Sequence, residues 1–154
     1  MLYAPAMSLN SKSIAISKCE TDFVTIAKCP LDGKIDIAIG ECKTRKQISD
    51  DDVNNLKAIA DAFPSERFNV YIIFSKLGPF STEELERVRQ LNNEYRRRVI
   101  LFTDRELEPY HLYERTAQEF KIDRYAVSFE DMANITEQIF LQPSVGNWMV
   151  NNEV

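Results

Sequence analysis

From Lys34 to Lys43, Ile35, Ile37 and Ile39 alternate with Asp36, Ala38 and Gly40. A period of two is that of a strand covered on at least one face, and it puts Glu41 and Lys43 on one side of the strand end. Cys19 to Ala27 reads as a second strand, and Pro30-Leu31-Asp32-Gly33 between them is turn chemistry, with Asp32-Gly33 suited to a type I′ hairpin. A two-residue loop sets Leu31 opposite Lys34, and the ladder then carries Val24 opposite Glu41 and Asp22 opposite Lys43. Met1 to Asn10 reads as a first strand, which Pro5 confines to an edge or a strand start.

After the hairpin the period changes. Ser49 and Asp52 form a capping box ahead of Val53, Leu56, Ile59, Ala60 and Phe63, which share one helical face, so a helix is predicted from Ser49 to Phe63 with Pro64 stopping it. Asp50, Asp51 and Asp52 suit the positive end of its dipole. Phe68 to Ser75 is apolar nearly throughout, as a strand buried on both faces reads. Gly78-Pro79 breaks the chain, and Ser81 with Glu84 caps a second helix whose stripe is Leu85, Val88, Leu91 and Tyr95. That helix ends in Arg96-Arg97-Arg98, and Val99 to Thr103 follows as another buried strand. Strand, helix, strand, helix, strand predicts parallel central strands joined by right-handed crossovers. Thr103 and Glu106 can cap a short helix, and Pro109 can begin a turn carrying Tyr110, His111, Leu112 and Tyr113. A final helix is predicted from Phe129 to Leu141 with Ser128 and Asp131 at its start. Gln142 to Val154, which holds Trp148, has no pattern and reads as a tail.

A length of 154 residues suits one domain with a real core. The expected division is an α/β core over residues 1–127, its motif-bearing part spanning 20–103, and a C-terminal helix and tail over 128–154. Apolar content of 44% against 28% charged residues is that of a soluble globular protein. No run reaches membrane-spanning length and Met1 to Asn10 lacks the features of a signal peptide, so a cytoplasmic setting is the default expectation. Cys19, Cys29 and Cys42 contain no Cys-x-x-Cys pair and His111 is the single histidine, which argues against zinc and against a disulfide framework. Cys42 is expected to be a small buried apolar side chain, and His111 a packing or surface residue. Four unclustered glycines exclude Walker and dinucleotide loops, and Gly-x-Ser-x-Gly is absent. A net charge of −5 argues against a broadly basic surface, but Lys43-Thr44-Arg45-Lys46 and Arg96-Arg97-Arg98 are local basic runs.

In the expected register Asp22, Glu41 and Lys43 share one face. Opposed Cβ atoms lie roughly 5 Å apart and diagonal ones about 7 Å, so the two carboxylates can share a divalent cation with the lysine beside it. Asp36 fails as a partner, because it lies about 16 Å from Glu41 along the strand and on the other face. This arrangement resembles the PD-(D/E)XK nuclease superfamily, with Asp22 matching the acid and Glu41-Cys42-Lys43 the Glu-x-Lys; Thr21 stands where the nominal signature has Pro. The resemblance covers Glu20 to Thr103 and extends in kind to resolvase-like and Mrr-like members.

The resemblance implies a restriction-endonuclease-like three-layer α/β fold: a mixed central sheet, an antiparallel hairpin followed by two helix-strand crossovers, and C-terminal helices. It also implies metal-dependent hydrolysis of nucleic-acid phosphodiester bonds, with DNA the leading substrate. Asp22, Glu41 and the main-chain carbonyl of Cys42 are expected to bind Mg²⁺ or Mn²⁺, and Lys43 to orient or deprotonate the attacking water. Arg45, two residues beyond Lys43, is expected to clamp a phosphate. Glu20 is an accessory metal candidate, and Gln47 continues the same parity. Such folds usually carry a helix before the first strand; its absence here implies a trimmed piece of a longer protein or a member without that helix.

Three other readings compete. The trio can be a cross-strand Asp22–Lys43 ion pair, worth about 0–1 kcal/mol if exposed. The domain can be an inactive binding or assembly module, in which an acidic surface and Tyr110 to Tyr113 meet a protein partner. A Rossmann-like small-molecule domain has the right alternation but lacks the phosphate loop.

Overall fold

A computed structural model of the chain describes residues 2–9, 19–28, 33–95, 98–106, 126 and 128–142. Among the described residues five strands form one sheet in sequence order: β1 (Leu2–Leu9), β2 (Cys19–Lys28), β3 (Ile35–Lys43), β4 (Phe68–Lys76) and β5 (Val99–Phe102). β1 and β2, and then β2 and β3, pair antiparallel; β3, β4 and β5 run parallel. The chain is therefore α/β with a mixed open sheet. β1 is an edge strand, which Pro5 tolerates.

Two helices make the parallel crossovers. α1 (Asp50–Asp61) and α2 (Thr82–Glu94) each begin on a complete capping box, Ser49 with Asp52 and Ser81 with Glu84. They lie side by side on one face of the sheet, joined by Lys57–Glu94 and Arg87–Asp50 ion pairs. Two successive crossovers of the same hand, stepping in one direction, require that placement. Ile39, Ile72 and Leu101, fully buried on three neighbouring strands, lie on the sheet face of Lys43 and Lys76, whose ammonium groups reach the first turns of these helices. Tyr71 points to the opposite face, where its ring packs against Phe129 at the start of α3 (Phe129–Thr136). β4 is thus covered on both sides, as its unbroken apolar run demands.

Among the described strands β5 lies at the end of the sheet, and side chains meet its outward amides. The Val99 amide donates to Asn92 Oδ1 at 3.4 Å and the Leu101 amide to Thr136 Oγ1 at 3.1 Å, so the outward N–H groups do not wait for another strand. After Thr136 the predicted helix continues as a π-helical turn, Glu137–Leu141, rather than as regular α-helix. Thr103 donates to Glu106 through its amide, 2.8 Å from Oε2, and its hydroxyl accepts from the Arg105 amide at 3.3 Å. Among the described residues no helix is long and apolar enough to cross a membrane.

The hairpin register differs from the expected one. Val24 faces Ile39 rather than Glu41, a shift of two positions, and the last turn-side pair is Lys28 with Ile35. This is not the register that a two-residue Asp32-Gly33 loop sets. Gly33 does adopt a positive φ of 72°. Residues 29–32 lie outside the described residues, as do 10–18, Arg96, Arg97, the Tyr110 to Tyr113 segment with His111, and the tail with Trp148.

Candidate active site

The site lies where β3 and β4 end, ahead of the N-termini of α1 and α2, the end of a parallel sheet at which ligands are usually bound. A shift of two preserves side-chain parity, so Asp22, Glu41 and Lys43 still belong to one face. One step beyond the Phe23–Gly40 pair, Asp22 falls across from Glu41 instead of Lys43.

Near that point the hairpin opens. Thr21 Oγ1 accepts from the Gly40 amide at 3.1 Å and lies 2.7 Å from the Gly40 carbonyl oxygen, doing with a side chain what the facing backbone would otherwise do. Next along, Asp22 Oδ2 accepts from the Cys42 amide at 2.6 Å. Thr21 therefore has a structural task at the point where the hairpin opens. Gly40 is needed for a different reason: a Cβ there would lie 2.1 Å from Cζ of Phe23, whose ring tip covers it.

Lys43 is not paired with Asp22. Its ammonium lies 2.6 Å from Glu41 Oε1 and 2.9 Å from Asp52 Oδ1, with all three side chains under one-fifth exposed. Asp52 uses its other oxygen for the capping box, accepting from the Ser49 amide and hydroxyl at 2.8 Å each. This acid joins the end of β3 to the start of α1. The sequence marked it only as a cap; the signal for more was the short span between the strand-end lysine and the helix N-terminus.

Charge and burial set the ionisation of the group. Burial raises the Glu41 pKa above the ordinary carboxylate range, Lys43 opposes the rise, and the Asp22 and Asp52 charges add to it. Burial also works to raise the pKa of Asp52, but hydrogen bonds from Lys43 and Ser49 outweigh it and hold the value low. For Lys43 burial favours the neutral amine, yet the two carboxylates prevail and raise its pKa. At neutral pH Lys43 is an ammonium donor.

Cys42 points away from Glu41 and Lys43, as parity requires, but it is exposed rather than buried, because the sheet face is open at the strand end. Partial burial, with the charges of Asp22 and Glu41, raises its pKa, so it stays a thiol despite a bond with Ser75. Asp36 accepts from Asn69 Nδ2 at 2.9 Å, away from the site. Arg45 and Gln47 do not continue the strand face: β3 ends at Lys43, and both residues are exposed in the loop that follows. Glu20 is exposed on β2 opposite Ser8, beyond the β2–β3 ladder.

The donor set is compatible with a hard divalent cation. Asp22 and Glu41 could offer carboxylate oxygens, and with Asp52 they make three acids beside a single lysine that pairs with only two of them, an excess of negative charge that such an ion would balance. Among the described residues no three His, Cys, Asp or Glu side chains are grouped to hold a metal ion. No protein-family model matches the chain, and neither curated proteins nor solved structures match it.

Proposed function

We propose that the chain is a metal-dependent nuclease domain with a restriction-endonuclease-like fold, hydrolysing phosphodiester bonds of nucleic acid, with DNA the leading substrate. The observation that carries this reading is Lys43 held between Glu41 and Asp52, with Asp22 fixed on the Cys42 amide beside them. Asp22, Glu41 and the Cys42 carbonyl would hold Mg²⁺ or Mn²⁺, which when bound supplies Lewis acidity and a more acidic water.

Lys43, as an ammonium, orients the attacking water and a phosphate oxygen by donating hydrogen bonds. Its raised pKa removes it as the base. Asp52 keeps that ammonium in place, and Glu41 would turn its carboxylate to the ion. Arg45 and Lys46 stand exposed in the next loop, where they can contact phosphates and offset the acidity of the site. Mn²⁺ titration by calorimetry tests the reading. Saturable binding by the wild type that disappears in Asp22→Ala/Glu41→Ala supports it; equal binding by both proteins contradicts it.

One observation favours a second reading. Both partners of Lys43 are already satisfied by its ammonium, as in a purely structural ion-pair network. On that reading the domain is an inactive binding or assembly module, and it binds neither Mg²⁺ nor Mn²⁺ through these acids.

A further inference from the structure

Behind the site lies a buried ion pair to which the chemistry assigns no role. Glu84 is completely buried, and Lys76 Nζ lies 3.1 and 2.8 Å from its two oxygens. The same carboxylate accepts from the Ile48 amide at 2.8 Å and from the Ser81 amide at 2.7 Å. A buried ion pair gains little over an apolar pair of similar volume, so stability alone does not account for it.

Its connections run to both ends of one loop. At the departure, the Lys43 carbonyl accepts from Leu77, the neighbour of Lys76, at 3.1 Å. Residues 44–47 follow, all exposed, and the chain lands on Ile48, whose side chain is completely buried and whose amide rests on Glu84. Arg87, three residues along α2, holds Asp50 at 2.8 Å. Ser49 then caps α1 and presents Asp52 to Lys43.

We infer that Glu84 is a positioning residue. Through Ile48 it fixes where α1 begins, which keeps Asp52 against Lys43 and holds Arg45 and Lys46 beside the site. The kinetic consequence rests on the nuclease reading; the positioning itself does not.

The test uses the full chain with Lys76→Met/Glu84→Met, which leaves no buried charge, and Lys76→Met/Glu84→Gln, which restores one acceptor oxygen. In the Met/Met variant the Ile48 amide should exchange about ten- to a hundredfold faster, the factor for one lost charge-assisted hydrogen bond, while the Ile72 amide keeps its wild-type protection. The Lys43 ammonium signal in NMR spectra, sharp when the group is held in ion pairs, should broaden. The Met/Gln variant should regain most of both, and kcat for cleavage should fall by a similar factor in Met/Met with KM little changed. Unchanged Ile48 and Lys43 signals in a folded Met/Met variant overturn the inference, as does equal acceleration of Ile48 and Ile72. If the wild type cleaves nothing, the nuclease reading fails while the exchange and ammonium signals still decide the positioning.

Discussion

Lys43 and Lys76 are partners in the parallel register of β3 and β4, and each is held by the N3 acid of the helix that follows its own strand, Asp52 and Glu84. The same device is built twice, side by side. The Lys76 copy is buried and shared with backbone amides. The Lys43 copy reaches the surface, and it alone adds Glu41 with Asp22 nearby. That difference separates a structural pair from a group able to meet a ligand.

Glu41 should lower stability at neutral pH. Its pKa is raised by folding, so the native state binds the proton more tightly than the unfolded chain. Stability then falls as pH rises from the ordinary glutamate value of about 4.3 through the raised value, and the loss persists above it. Urea unfolding across pH should find Glu41→Gln more stable than wild type at neutral pH, with the advantage vanishing in acid. A wild type that is the more stable at neutral pH contradicts this.

Asp52 should behave oppositely. Its pKa is lowered by folding, so its contribution is complete above the ordinary aspartate value of about 3.9 and is lost as pH falls through the lowered one. Asp52→Asn should cost roughly 1 kcal/mol at neutral pH, the scale of one net hydrogen bond, and nothing in strong acid. Ser49→Ala, which removes the hydroxyl but keeps the residue-49 amide on Asp52 Oδ2 and the Lys43–Asp52 pair, is the control: cleavage should suffer more in Asp52→Asn than in Ser49→Ala.

Gly40→Ala should displace the Phe23 ring, since the added Cβ falls 2.1 Å from Cζ and 2.3 Å from Cε1. Overpacking of this kind costs about 1–3 kcal/mol. The cost should shrink when Phe23 is already Ala, a coupling that a double-mutant cycle in denaturant reads directly.

Thr136→Val keeps the shape of a fully buried side chain but removes the acceptor for the Leu101 amide. An unsatisfied buried amide costs about 1–3 kcal/mol. The variant should also aggregate more readily on mild heating, because β5 regains an open edge; light scattering below the unfolding midpoint checks this.

Most of the scaffold was legible in the sequence. Ser49 with Asp52 and Ser81 with Glu84 located both helices within a residue or two, and the apolar run from Phe68 marked β4 as central. Parity placed Glu41 and Lys43 on one face and Cys42 on the other. An Asp32-Gly33 loop predicts a register two residues from the observed one, in which Val24 faces Ile39. An error of two preserves every face but moves Asp22 from Lys43 to Glu41. The exposure of Cys42 followed from how far the sheet is covered, which strand alternation does not encode. The second role of Asp52 depends on a tertiary distance, and a capping residue looks the same in sequence whether or not a lysine reaches it.

The most direct test of the central claim is cleavage of supercoiled plasmid DNA in Mn²⁺ by matched preparations of wild type and Lys43→Ala. Wild type should nick the plasmid, and the variant should be slower by at least about a hundredfold, the scale of losing one positioned donor in a transition state. A Lys43→Ala protein that cleaves as fast as wild type would contradict the account.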